Sequence, residues 1–393
     1  MRRLRSFREG KLNVTEIGIG LKPLLPQTGT HKECRAPSRI CFTAGDNRAS
    51  EQPGLATMHT LWLREHNRVV GELARINPHW DDERLYQEGR RIVSAEIQQI
   101  TFGEFLPRIL GRITMDRFEL NLASDGYSHA YDPEVDPSIW NEFSTAAFRF
   151  GHTLIAPFFK LIGRDYSDQR QEVLQLRKGF FNSDMLYRQG AVDSLLRGLL
   201  STSMQNFDNA VTEEVTNHLF EEHRKPFSGM DLIALNLQRG RDHGLAGYTE
   251  YRQKCNLSKA ISFEYLDGIP EPIRHQLAQI YDHVEDIDLF TGGLAERSLN
   301  GAVVGPTFAC IIGSQFSRLK RSDRFFFETD DPIVRFSEGT LEFRAARCSR
   351  WTLITGPIAI RAPYVEKIYH LENRWQCLHA EVAHAPPKVY VAS

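Results

Sequence analysis

The chain has 393 residues, 41% of them hydrophobic and 25% charged, a balance that suits a soluble globular protein with a sizeable core. Its formal net charge of -2 gives no electrostatic reason to expect nucleic acid or an anionic membrane as a partner. No stretch approaches the roughly 18 consecutive apolar residues of a membrane span, the best candidate, Gly301 to Gly313, being interrupted by Gly305 and Pro306.

From the N-terminus, Met1 to Gly10 carries the basic residues of a signal peptide's first region, but no apolar run follows, so no export signal is visible. Cys34 and Cys41 flank a short polar stretch containing Pro37 that a disulfide can close; six buried reduced thiols are the alternative reading of the cysteine content. Ser50 and Pro53 then act as start signals for a helix with Leu55, Met58, Trp62, Val69 and Leu73 on one face. A second helix is predicted from about Asp82 to Phe102, with Leu85, Ile92, Ala95 and Ile100 on its buried side. A polar loop covers Leu122 to Pro133. A third helix is predicted to start at Asp136-Pro137, an N-cap followed by proline, and to carry Ile139, Phe143, Ala147, Phe150 and Leu154. Asn13-Val14-Thr15 and Asn256-Leu257-Ser258 are glycosylation sequons, a pattern that is also common by chance. No linker, internal repeat or low-complexity tract divides the chain.

The end of the third predicted helix reads Phe148-Arg149-Phe150-Gly151-His152-Thr153. A His on an aromatic-rich helix can ligate a haem iron, with the preceding Arg placed to neutralise a propionate. From composition and spacing alone, a hydrogen-bonded core His is the commoner meaning of such a residue. Two distant segments change the weighing. One runs from Cys41 through Asp46-Asn47-Arg48-Ala49-Ser50-Glu51-Gln52 to His59-Thr60-Leu61-Trp62-Leu63-Arg64-Glu65-His66-Asn67-Arg68. The other is Ala234-Leu235-Asn236-Leu237-Gln238-Arg239-Gly240-Arg241-Asp242-His243-Gly244. Together, and in this order, the three resemble the animal-type haem peroxidases, the superfamily of myeloperoxidase and the peroxinectins, most nearly its invertebrate secreted members. Several long motifs in one order are far more specific than any short pattern. The resemblance runs from Met1 to about Glu328 and weakens beyond.

The resemblance implies a mainly α-helical haem peroxidase fold over residues 1–345, incomplete at its N-terminus, with 346–393 a divergent C-terminal tail. It implies haem b as cofactor, hydrogen peroxide as oxidant and a small organic or halide electron donor. His152 matches the axial ligand of the iron, and Asn236 the amide that accepts the other imidazole N–H; read alone, Asn236 is a helix-interior amide capping a nearby turn. Arg149 matches the propionate partner. Arg48 matches the cation that stabilises charge on the departing peroxide oxygen, where a loop Arg is otherwise a solvated surface charge. Glu51 matches the carboxylate that forms an ester with the haem; read alone, it favours the positive end of the following helix. Gln52 stands where myeloperoxidase has a methionine joined to the haem, so that bond is not expected. His59, His66 and His243 belong to the shared motifs and read as packing and hydrogen-bonding residues.

The same resemblance pairs Cys34 with Cys41, Cys255 with Cys310 and Cys348 with Cys377, and implies a secreted, extracellular protein. Family members also carry an upstream region with the distal His, a haem-esterifying Asp and a calcium loop. That region is not in this sequence, so no calcium site is expected in it. The oligomeric state is not legible. A haem-binding or adhesive pseudoperoxidase is the alternative function, and a helical interaction module without cofactor is a third. Pro386 to Ser393, short, terminal and beginning with two prolines, is expected to be poorly ordered.

Overall fold

A computed structural model of the chain describes residues 4–28, 33–164, 166, 172–222 and 225–337. The expected Cys348–Cys377 pair, the divergent tail and Pro386 to Ser393 lie outside the described residues. In chain order the elements are β1 (Gln27–Thr28), β2 (Cys41–Phe42), α1 (Pro53–Ile76), α2 (Asp82–Ile100), α3 (Leu106–Arg117), α4 (Asn141–Thr145), β3 (Phe158–Leu161), β4 (Glu172–Gln175), α5 (Ala191–Ser201), α6 (Glu213–Thr216), α7 (Leu232–Asp242), α8 (Tyr248–Lys254), α9 (Glu271–Ile280), α10 (Leu289–Ala295) and α11 (Pro306–Ser322). The protein is therefore mainly α-helical, with two small antiparallel ribbons, β1 with β2 and β3 with β4. Among the described residues no helix is long and apolar enough to cross a membrane.

The chain divides into two compact units. One contains the described residues up to Ile97 together with Pro157–Ser203; the other contains Gln98–Ala156 and Met204–Phe336. In the first unit, α1 begins where expected, at Pro53, because proline loses nothing at a helix start where the N–H has no partner. Its most buried face is Ala56, Leu63, Val69, Val70 and Leu73, whereas Leu55, Met58 and Trp62 are half-buried. Ala56 and Leu63 join Leu24, Leu25, Phe42, Leu161, Leu186, Leu195 and Leu196 in one cluster, and Val69 and Leu73 join Trp80, Leu85 and Val93 in another. The start of α2 is fixed by Asp82 and Glu83, which both take the guanidinium of buried Arg5, at 2.6 and 2.5 Å. The cysteines Cys34 and Cys41 are joined by a disulfide in this unit.

On α5, Gly198 lies against the backbone of β3 so closely that an added Cβ would sit 1.8 Å from the Lys160 carbonyl oxygen. A backbone atom cannot swing away as a long side chain can. Gly198→Ala is expected to destabilise the fold by about 1–3 kcal/mol, the usual cost of overpacking, read as a lower midpoint in urea unfolding.

In the second unit, α2 does not end at Phe102 as a plain helix: a π-helical turn over Thr101–Phe105 leads directly into α3. The third predicted helix is also corrected. Asp136 does not cap a helix; its carboxylate accepts hydrogen bonds from the backbone and hydroxyl of Ser138, at 2.9 and 2.7 Å, closing a local turn instead. The stretch up to Trp140 is held by α11, where Gln315 accepts from Trp140 N at 2.8 Å and Arg318 donates to Asp136 O at 2.7 Å. Helix begins only at Asn141, and Ala146, at φ -132° and ψ -68°, interrupts it before a 3-10 turn over Ala147–His152. That turn is seated by Ala147 and Phe150, 0% and 4% exposed, above a set of aromatic rings: Phe143 stacks on Phe148 with centroids 4.6 Å apart, and both meet Phe316. A second disulfide, Cys255–Cys310, lies in this unit.

Candidate functional site

Asp231 starts α7 by accepting hydrogen bonds from Ile233 N and Ala234 N, at 2.8 and 3.1 Å. The helix that follows exposes or half-exposes every side chain except one: Asn236 is fully buried. A buried amide has to be hydrogen-bonded, and this one is engaged at both ends. Its Nδ2 donates to His152 Nδ1 at 2.8 Å, and its Oδ1 accepts from Arg149 Nη1 at 2.9 Å. Arg149 also donates from Nε to Ser144 O at 3.0 Å. The structure thus brings together three residues, Arg149, His152 and Asn236, that the sequence separates into two motifs. It differs from the expectation in one respect: the amide presents its NH2, and not its oxygen, to the imidazole.

Half-buried His152 has its pKa pulled down to about 4, by burial first and then by the nearby charge of Arg149. The ring is neutral at neutral pH, and Nε2 has no hydrogen-bond partner among the described residues. Burial, and then the like charge of Arg239, lower the pKa of Arg149 itself. Arg239 lies one helical turn beyond Asn236, and among the described residues no carboxylate pairs with either guanidinium. Two unpaired cations near a neutral imidazole favour an anion there. Arg239 was not singled out by the motif reading, although its spacing of three from Asn236 places it on the neighbouring part of the same helix face.

The depressed His152 pKa gives the protein without bound ligand a defined acid sensitivity. The unfolded chain, with a His pKa near 6.5, takes up a proton before the folded chain does. The folded state therefore keeps this contribution in full above pH 6.5 and loses it as pH falls towards about 4. On the order of 3 kcal/mol is lost across that window, so thermal midpoints of the wild-type chain should fall further than those of His152→Gln between pH 7 and 4.

In the first unit, Arg48 lies in the loop before α1 and is clamped by Asp46. Arg48 N and Nε donate to Asp46 Oδ1 at 2.7 and 3.0 Å, and Nη2 donates to Oδ2 at 2.7 Å. These bonds hold the Asp46 carboxyl far below its ordinary range. Arg48 Nη1 is left free of this pairing, and 72% of the side chain is exposed. The half-buried Glu51 carboxyl is shifted upward by burial, against a smaller downward pull from Arg48. Its backbone is fixed at both ends, by Glu51 N to Arg48 O at 2.8 Å and Phe181 N to Glu51 O at 3.1 Å. Neighbouring Gln52 has a buried Oε1 with no hydrogen-bond partner among the described residues. His59 is half-buried, and burial lowers its pKa.

The other shared histidines are tied into the framework. His66, 5% exposed, shares a 2.9 Å hydrogen bond between Nε2 and Gly10 O. His243 Nδ1 donates to Asn141 Oδ1 at 2.8 Å while Asn141 Nδ2 donates to His243 O at 3.1 Å, joining the end of α7 to α4.

Comparison with known proteins bears on the family and the fold. The chain belongs to the animal haem peroxidase family, whose description matches residues 1–350. It is 43% identical over 316 residues to the peroxidasin homolog of Homo sapiens, covering 78% of this chain and 21% of that protein. It is 43% identical over 307 residues to thyroid peroxidase of Sus scrofa, covering 77% and 32% respectively. Among solved structures, peroxidase A of Dictyostelium discoideum superposes with a TM-score of 0.74 at 30% identity, over 99% of this chain and 68% of that one. The chain thus spans about a fifth to a third of these two curated relatives.

Haem fits the residues of the second unit on their own chemistry. His152 Nε2, without a partner among the described residues, suits a metal once the ring proton resides on Nδ1, and the Arg149 and Arg239 guanidiniums, without carboxylate partners among the described residues, suit the propionates.

Proposed function

We propose that this chain is the haem-binding part of a peroxidase that oxidises small organic or halide donors with hydrogen peroxide. The observation that carries the reading is the neutral His152 imidazole held at Nδ1 by buried Asn236, beside Arg149, which like its neighbour Arg239 has no carboxylate partner among the described residues. His152 would ligate the haem iron, Arg149 and Arg239 would hold the propionates, and Asn236 would orient the imidazole. When bound, haem supplies the iron at which the peroxide O–O bond is cleaved. Arg48 supplies fixed positive charge for the departing oxygen; it cannot take the peroxide proton, because its guanidinium stays charged at any working pH. Glu51 would form an ester with a haem methyl: its carboxylate would supply the oxygen of the new C–O bond, and the methyl would lose a proton and two electrons, which hydrogen peroxide, the oxidant of the proposed reaction, would take up. The two disulfides favour an oxidising, extracellular setting.

Arg48's clamp on Asp46 favours a second reading, a haem-binding protein with little turnover, since the pairing cancels much of the cation's charge. Reconstitution with haemin separates the two. A Soret band with peroxide-dependent donor oxidation supports the peroxidase; the band without oxidation supports the second reading, and no band removes both. In an active preparation, acidified organic solvent should leave part of the haem on the wild-type chain and none on Glu51→Gln. Complete extraction from active wild type would end the Glu51 assignment.

A further inference from the structure

We propose that Arg149 sets the position of the proton on His152 through Asn236, so that a carboxylate captured by Arg149 frees His152 Nε2 to act as a ligand. A guanidinium has only donors, so the end of the Asn236 amide that faces Arg149 Nη1 at 2.9 Å must be its oxygen. The other end, 2.8 Å from His152 Nδ1, is then the NH2 group, which can only donate. Nδ1 must accept. A neutral imidazole carries one proton, so that proton sits on Nε2, the nitrogen with no partner among the described residues.

For Nε2 to offer a lone pair, the proton has to reside on Nδ1, and Nδ1–H needs an oxygen to receive it. Turning the amide supplies that oxygen but points its NH2 at Arg149, a donor against a donor. The two arrangements therefore exclude each other while Arg149 stays in place. Arg149 is half-buried, with its second contact to Ser144 O, and Arg239 repels it from α7. A carboxylate between the two guanidiniums offers Arg149 a stronger partner than a neutral amide. Once Arg149 turns to it, Asn236 is released, one proton leaves Nε2 for solvent and one arrives at Nδ1, with no change in net charge. The inference rests on the haem reading for the identity of that carboxylate, a porphyrin propionate, but its central contact does not.

The test is 15N NMR at neutral pH on the full chain without haem, labelled at histidine, with the His152 signals identified by their loss in His152→Gln. The wild type should show the Nε2–H form in excess by at least about tenfold, since an N–H facing a donor is costly. Arg149→Met should move the population to Nδ1–H. Asn236→Asp, whose carboxylate accepts from both sides, should give Nδ1–H with Arg149 still present. Metal-free protoporphyrin should convert the wild type to Nδ1–H and its dimethyl ester should not, an arm that needs no variant to fold. Nδ1–H in the wild type, or Nε2–H unchanged in Arg149→Met, would overturn the proposal. Failure of haem to bind with the tautomer shift intact would instead remove only the haem reading.

Discussion

Replacing His152 by Ala is expected to abolish stable haem uptake while the fold survives the change. The side chain is half-buried at the end of a 3-10 turn whose seat is made by Ala147 and Phe150, neither of which the substitution touches. What the protein loses is one hydrogen bond to Asn236, and buried Nδ2 is left without its acceptor, at a cost of about 1–3 kcal/mol. A stabilising effect partly offsets this at low pH, where the buried imidazole no longer resists protonation. On the proposed reading haem would lose its protein ligand, and no other described histidine of that unit stands in the same relation to Asn236 and Arg149: His243 is held by Asn141 at the opposite end of α7. Titration with haemin should show no saturable Soret band in the variant, with far-ultraviolet circular dichroism close to wild type. A Soret band of wild-type position and affinity would refute the assignment of His152.

The helical class was legible because it is written in local chemistry. Pro53 opens α1 where its missing N–H is harmless, and Asp82 and Glu83 mark the start of α2. The motif residues His152 and Asn236 were legible through their surroundings in sequence, and they do meet in the fold. What was not legible is tertiary. The third predicted helix starts late because Gln315, far away in sequence, takes Trp140 N and Ser138 O while Arg318 takes Asp136 O, contacts that the spacing of apolar residues cannot reveal. The apolar face of α1 was rotated in the reading because small residues, Ala56 and Thr60, take the tightest positions while Trp62 stays half-buried. The direction of the Asn236 amide was likewise invisible, since it depends on which donor stands at its far end. Asp46, two residues before Arg48, could have been read as its partner, because an Asx turn places a carboxylate beside the second residue on.

Arg48→Leu should slow the reaction with hydrogen peroxide by about 10²–10³-fold at unchanged haem content, the loss typical of removing one fixed stabilising group. That corresponds to about 3–4 kcal/mol of barrier. The effect is expected in spite of the clamp on Asp46, because the clamp uses only Nε and Nη2 and leaves Nη1 to face another acceptor. Asp46, held far below the carboxylate range, stays ionised through the working pH, so the pair orients Arg48 without acting as a switch. A lysine cannot hold Asp46 bidentately and present a further donor from the same plane, so Arg48→Lys should recover little of the lost rate. Stopped-flow decay of the resting Soret band after mixing with peroxide measures the step directly. Equal rates for wild type and Arg48→Leu would mean that the stabilising charge comes from another residue.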